Sequence, residues 1–90
     1  VRIAGDFINR STGSMIASTS LNVYKNGTLL NYGELSLTTS ADMVVTGDFQ
    51  TSETGRLLCH GSLSVTINGR TTQAGYFSLT GSVVNSGVFV

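Results

Sequence analysis

The sequence predicts an all-β protein, a β-solenoid or parallel β-helix of about four coils, each of roughly twenty to twenty-two residues. Three observations carry that prediction. All eleven glycines stand at odd positions, as do all four phenylalanines, while the three tyrosines and eight of the ten charged residues are even. Successive side chains of a strand face opposite sides, so odd positions are predicted to point inward and even positions outward. The odd positions also recur with a period near twenty-one, and residue types repeat with it. A period of that size with two-residue alternation is the mark of stacked coils, each of which buries its face on its neighbours. Finally, the chain has no proline, consistent with central ladders that cannot spare an amide donor.

Each coil can be justified in turn. The first spans 5–26, with Gly5 and Gly13 at corners, then inward Met15 and Ala17, Thr19 at a third corner, and inward Leu21 and Val23. The second, 27–46, repeats this as Gly27, Gly33, Leu35 and Leu37, Thr39, then Ala41 and Met43. The third, 47–68, reads Gly47, Gly55, Leu57 and Cys59, Gly61, then Leu63 and Val65. The fourth, 69–86, reads Gly69, Gly75, Phe77 and Leu79, Gly81, then Val83, and Gly87 opens a fraction of a fifth. Aligned coils would set Leu35 between Met15 and Leu57. The glycines suit corners with little room and positive φ, and Asn26-Gly27, Asn68-Gly69 and Gly47-Asp48 supply turn chemistry. A stronger likeness links alternate coils, where Ala-Gly-Asp-Phe ending at Phe7 returns as Thr-Gly-Asp-Phe ending at Phe49. Two rival architectures stay open. An antiparallel sandwich or meander would also use Asn-Gly hairpins, and three chains can interleave such strands in a trimeric β-helix.

Ninety residues form one module over 1–90, small enough to be marginally stable unless an elongated repeat stack evades the limit of a small core. The apolar start at Val1 and Ile3, without an initiator Met, predicts a piece of a longer chain. Five basic and five acidic residues balance. No basic stripe suits nucleic acid or an anionic membrane, so neither is an expected partner. The single cysteine excludes an internal disulfide framework.

The unit Asn31-x-Gly33-x-Leu35-x-Leu37, with Leu21, Val23, Asn26, Gly27 and Leu29 before it, resembles the haemagglutinin repeat of filamentous-haemagglutinin-like secreted proteins. Glu53, Gln73 and Ser11 depart from its asparagine. Phage and viral fibre β-helices are similar. The resemblance implies a right-handed parallel β-helix serving as a passive shaft or adhesive surface outside the cell, on its surface or on a virion. It carries over no catalytic residue and no cofactor.

Outward positions supply the candidate binding residues. Ser20, Ser40, Ser62 and Ser82 are expected to form one column, Ser18, Thr38, His60 and Thr80 a second, and Ile16, Ser36, Leu58 and Ser78 a third. Such hydroxyl ladders, spaced by roughly 4.7 Å, suit a solvent-facing strand, a glycan or a neighbouring chain. The admixture of histidine and leucine weighs against ice. Outward Tyr24, Tyr32 and Tyr76, with Leu30 nearby, offer rings for a cell-surface sugar, although tyrosine is also a good strand former.

Catalysis is not expected. Cys59 and His60 are sequence neighbours whose side chains point to opposite faces. Asp6 and Asp48 are coil-equivalent and suit turn capping, and scattered acids with one histidine make no metal site. Inward polar residues are odder: Ser11, Asn31, Glu53 and Gln73 fall at one point of each coil, where stacked amides satisfy one another. Glu53 and Lys25 are expected at corners where parity lapses, because a lone buried charge is costly. Both ends run in full pattern with no cap, which predicts self-association, as a homotrimer for example, or continuation of a parent chain.

Overall fold

The computed structural model describes residues 2–90, and Val1, part of the apolar start, lies outside them. In chain order β1 (Arg2–Ile3), β2 (Asp6–Asn9), β3 (Ser14–Ala17), β4 (Ser20–Val23) and β5 (Thr28–Asn31) come first. They are followed by β6 (Glu34–Leu37), β7 (Asp42–Val45), β8 (Asp48–Thr51), β9 (Arg56–Cys59) and β10 (Ser62–Val65). The last are β11 (Arg70–Gln73), β12 (Tyr76–Leu79), β13 (Ser82–Asn85) and β14 (Val88–Phe89). Each strand pairs in parallel with the third before it. Three sheets result, in the orders β1-β4-β7-β10-β13, β2-β5-β8-β11-β14 and β3-β6-β9-β12. The chain is thus a three-sided parallel β-solenoid of about four turns. Its pairings run within one chain and in one direction, which is neither a sandwich nor a meander nor an interleaved trimer.

Parity holds through the whole interior. Every buried residue among those described is odd-numbered. The reason is arithmetic: internal strands have four residues and corners have two or four, so no corner shifts the alternation. Leu21, Val23, Leu29, Leu35, Leu37, Phe49, Leu57 and Leu63 are fully buried along one axis. Leu35 does stack between Met15 and Leu57.

The corners reveal a finer repeat than the coil. Strands β2 to β11 begin at 6, 14, 20, 28, 34, 42, 48, 56, 62 and 70, in steps that alternate between eight and six residues. The longer step contains a wide turn closed by a backbone hydrogen bond: Gly13 N–H to Arg10 O, Gly27 to Tyr24, Ala41 to Thr38, Gly55 to Ser52 and Gly69 to Thr66, at 2.8–3.0 Å. These turns start at 10, 24, 38, 52 and 66, so the repeating unit is two sides and fourteen residues. Three-sided coils and two-sided units come back into step after two coils, or three units, which explains the recurrence of Gly-Asp-Phe at Phe7 and Phe49. Successive coils alternate in length for the same reason, the step from Ser20 to its partner Asp42 being longer than the step from Asp42 to Ser62. The last coil breaks the rule, since its corners at Gly75, Gly81 and Gly87 are all tight.

The fourteen-residue unit corrects several alignments drawn from glycine spacing. The corner column with Thr19, Gly61 and Gly81 is completed by Ala41, not Thr39, because Thr39 and Ser40 are the extra residues of a wide turn. Leu21 and Val23 therefore stack on Met43 and Val45 rather than on Ala41 and Met43. The inward polar column is Asn9, Asn31, Thr51 and Gln73. Ser11 and Glu53 instead occupy wide turns and are exposed, as is Lys25, so both charges do sit at corners.

Glycine conformation is also corrected. Among the described residues no glycine has a positive φ, and the one in the left-handed region is Asn26, at φ 70°. Glycine is required at the corners by close approach: a β-carbon on Gly33 would collide with the carbonyl oxygens of Arg10 and Gly13 in the coil beneath. At Gly5, in the first coil, it would meet nothing.

The stack is not elongated. Its extents are 30 × 25 × 23 Å. The last coil is thinly covered, with Phe77, Val83 and Phe89 only partly buried and Leu79 45% exposed. Phe77 and Phe89 rest on each other with ring centroids 5.9 Å apart. At the other end, inward Phe7 is 40% exposed because no coil lies beneath it.

Candidate functional site

Alternating turn widths give the surface its relief. At the corner after the first sheet, wide turns start at Tyr24 and Thr66, two coils apart, with the tight Thr46-Gly47 corner recessed between them. At the corner after the second sheet, wide turns start at Arg10 and Ser52 with Tyr32-Gly33 recessed between them. Two coils separate such walls by roughly 9–10 Å. Each corner therefore carries a notch. The first, about 390 Å³, has Lys25, Asn26 and Asn68 on its walls, Gly47 and Asp48 on its floor and Arg70 beside it. The second, about 420 Å³, is bounded by Arg10, Ser11 and Thr12 below and Thr54 above, with Tyr32 and Ile8 along its floor. A smaller, more enclosed cleft of about 140 Å³, which includes Leu30, Gln50 and Ala74, continues from Tyr32 across the second sheet.

The outward columns are partly as expected. Ile16, Ser36, Leu58 and Ser78 stack in register. Ser18, Thr38, His60 and Thr80 follow at the strand ends, each amide above bonded to the coil below. His60 Nδ1 and Thr80 Oγ1 are 2.6 Å apart in this column. The serine column is not continuous: Asp42 takes the place between Ser20 and Ser62, and Ser62 pairs with Ser82. Ser40 lies apart from it, exposed on the Thr38–Ala41 turn, for the reason given above.

The tyrosines fall at separate places. Tyr24 and Tyr32 bracket β5, 37% and 40% exposed, and Tyr76 starts β12 in the last coil, 54% exposed. Among the described residues only Tyr76 has a cation on its ring, with the Arg56 guanidinium carbon 5.1 Å from the centroid. Arg10, Tyr32, Ser52 and Ala74 form one outward corner column, since each amide bonds to the residue before the member beneath it. Arg10 is a site residue that sequence reasoning misses, because its place under Tyr32 depends on turn widths that parity does not reveal.

Cys59 is fully buried, its Sγ 3.6 Å from the Gly61 carbonyl, and burial pushes its thiol up. His60 is on the opposite face. Asp48 Oδ2 accepts from Gln50 Nε2 at 3.1 Å and does not cap the turn. Among the described residues no three of histidine, cysteine, aspartate and glutamate converge as metal ligands. The buried amides do form the expected ladder at its lower end: Asn9 Nδ2 donates to Asn31 Oδ1 at 2.8 Å and to Glu34 O at 3.0 Å, and Asn31 Nδ2 to Arg56 O at 3.1 Å. Above it Thr51 Oγ1, Thr71 Oγ1 and both amide atoms of Gln73 are buried without partners. Comparison with protein-family models, with curated proteins and with solved structures finds no match.

Proposed function

We propose that the chain is a non-catalytic structural segment, a building block of a shaft or adhesive surface in a larger exported or virion protein. The observation that carries this reading is the unbroken in-register stack of parallel coils, each resting on the one beneath. Such a block becomes a shaft by stacking. Its last coil presents half-covered Phe77, Val83 and Phe89 together with unpaired strand edges, a surface that favours strand addition. Its first coil carries Gly5 in the column of Gly27, Gly47, Gly69 and Gly87. Each of those four glycines leaves room for a carbonyl of the coil beneath, and Gly5 holds the same room open. The likeness to haemagglutinin-repeat β-helices points to the same role.

Light scattering behind a sizing column, over a range of concentrations, tests the reading. Concentration-dependent association that Gly5→Ala abolishes is the expected result. Association that is indifferent to Gly5→Ala would sink stacking through the first coil, and a chain that stays monomeric at all concentrations would leave continuity of coils within a parent chain as the route to a shaft. A second reading, a carbohydrate- or receptor-binding fibre tip, is favoured by the Tyr32 notch. Ice binding has less behind it, since Asp42, Leu58 and His60 interrupt the hydroxyl columns.

A further inference from the structure

We propose that the notch over Tyr32 is a binding site for a carboxylated sugar residue. The proposal does not depend on the structural role above and rests on a different part of the surface. Tyr32, 40% exposed, lies in a recess between two protruding turns, and its ring is covered by no cation or other ring among the described residues. An exposed ring with Ile8 beside it, 49% exposed, is a floor for the apolar face of a pyranose. Its backbone is held firmly for that purpose, since Tyr32 N–H donates to Asn9 O at 2.8 Å and Tyr32 O accepts from Thr54 Oγ1 at 3.2 Å.

The walls select the charge. Arg10 stands directly beneath Tyr32, one coil away, and its guanidinium makes no hydrogen bond or ring contact among the described residues. A guanidinium with free donors matches a carboxylate in a bidentate fork. Ser11 and Thr12 add hydroxyls on the same wall. The opposite wall ends in exposed Glu53, so the ligand's carboxylate is placed on the Arg10 side and its hydroxyls toward Thr54. The notch at the other corner has Lys25 and Arg70 but no aromatic floor. It therefore serves as an internal control for simple charge attraction.

The test is a titration of the ¹⁵N-labelled chain with a galacturonate trimer and, separately, with the neutral galactose trimer, in physiological salt. The acidic sugar is expected to shift amides of 10–13, 32–33 and 52–55, and the neutral sugar to bind at least tenfold more weakly. Arg10→Gln, an exposed turn substitution, should weaken the acidic sugar about tenfold, and Arg10→Lys should retain part of the binding. Tyr32→Ala should abolish it, with circular dichroism checking the fold and Thr54→Val as a milder second variant. Equal binding of the two sugars, no shifts with either, or shifts spread equally to Lys25 and Arg70 would each overturn the proposal. These readouts are monomer properties, so they stand or fall apart from end-to-end association.

Discussion

Two residues of one buried column make opposite contributions to stability. Asn31 both accepts from Asn9 and donates to the Arg56 carbonyl, so Asn31→Ala strands buried partners and should cost about 2–3 kcal/mol. Thr51, the next member upward, buries a hydroxyl that bonds to nothing. Thr51→Val removes that desolvated group at nearly constant shape and should stabilise by about 1 kcal/mol. Urea midpoints of the two variants check both signs. Cys59 gives a pH-dependent prediction. Its native pKa is raised by burial, so the folded chain keeps a proton that the unfolded chain loses. That contribution is intact below about pH 8.5 and is lost as pH rises toward the native value, at most about 1.4 kcal/mol per pH unit. Wild type should therefore lose more stability than Cys59→Ala between pH 7 and pH 10 in matched urea titrations.

At the scale of elements, corners decide more than strands. Four-residue strands of varied sequence all pair in register, whereas glycine is demanded wherever a coil beneath brings its carbonyls close. Gly33→Ala should cost about 3 kcal/mol, because the atoms it meets are backbone and cannot yield. Gly5→Ala should change the stability of the monomer by less than about 0.5 kcal/mol, as its β-carbon enters open space. Thermal melts at low concentration distinguish the two. The corners also show how far the chain is legible from its sequence. Inward and outward sets are readable throughout the core because every corner is even in length. For that same reason parity cannot tell a narrow corner from a wide one, and glycine spacing misplaces Ser40, Thr39, Ser11 and Glu53 by one strand period each. The unit of fourteen is obscured at Thr19, where a side chain is tolerated because the first coil has no coil below it, and at Ala41. The notches are hidden from the sequence too, since they exist only where wide and tight turns alternate on one corner.

For the whole molecule, stability should be graded along the axis. Middle coils have a paired strand on both edges of every ladder, while the last coil has half-covered side chains and unpaired edges. Solenoid stability is roughly a sum of neighbour terms, so the ends open first. Amide hydrogen exchange should show β5 to β10 protected most and β12 to β14 least, and uniform protection would contradict the picture. If copies stack, protection at β12 to β14 should rise with concentration.

A three-sided coil built from a two-sided unit works like a vernier. Lengthening the chain by a single unit would turn everything above it through two thirds of a revolution, carrying the Tyr32 notch's upper relatives to another side. Lengthening it by three units would return each kind of notch to its original side, one above another. A protein extended from this block can therefore display its recesses in a spiral or in a row by choosing the size of its duplications, with no change in any side chain.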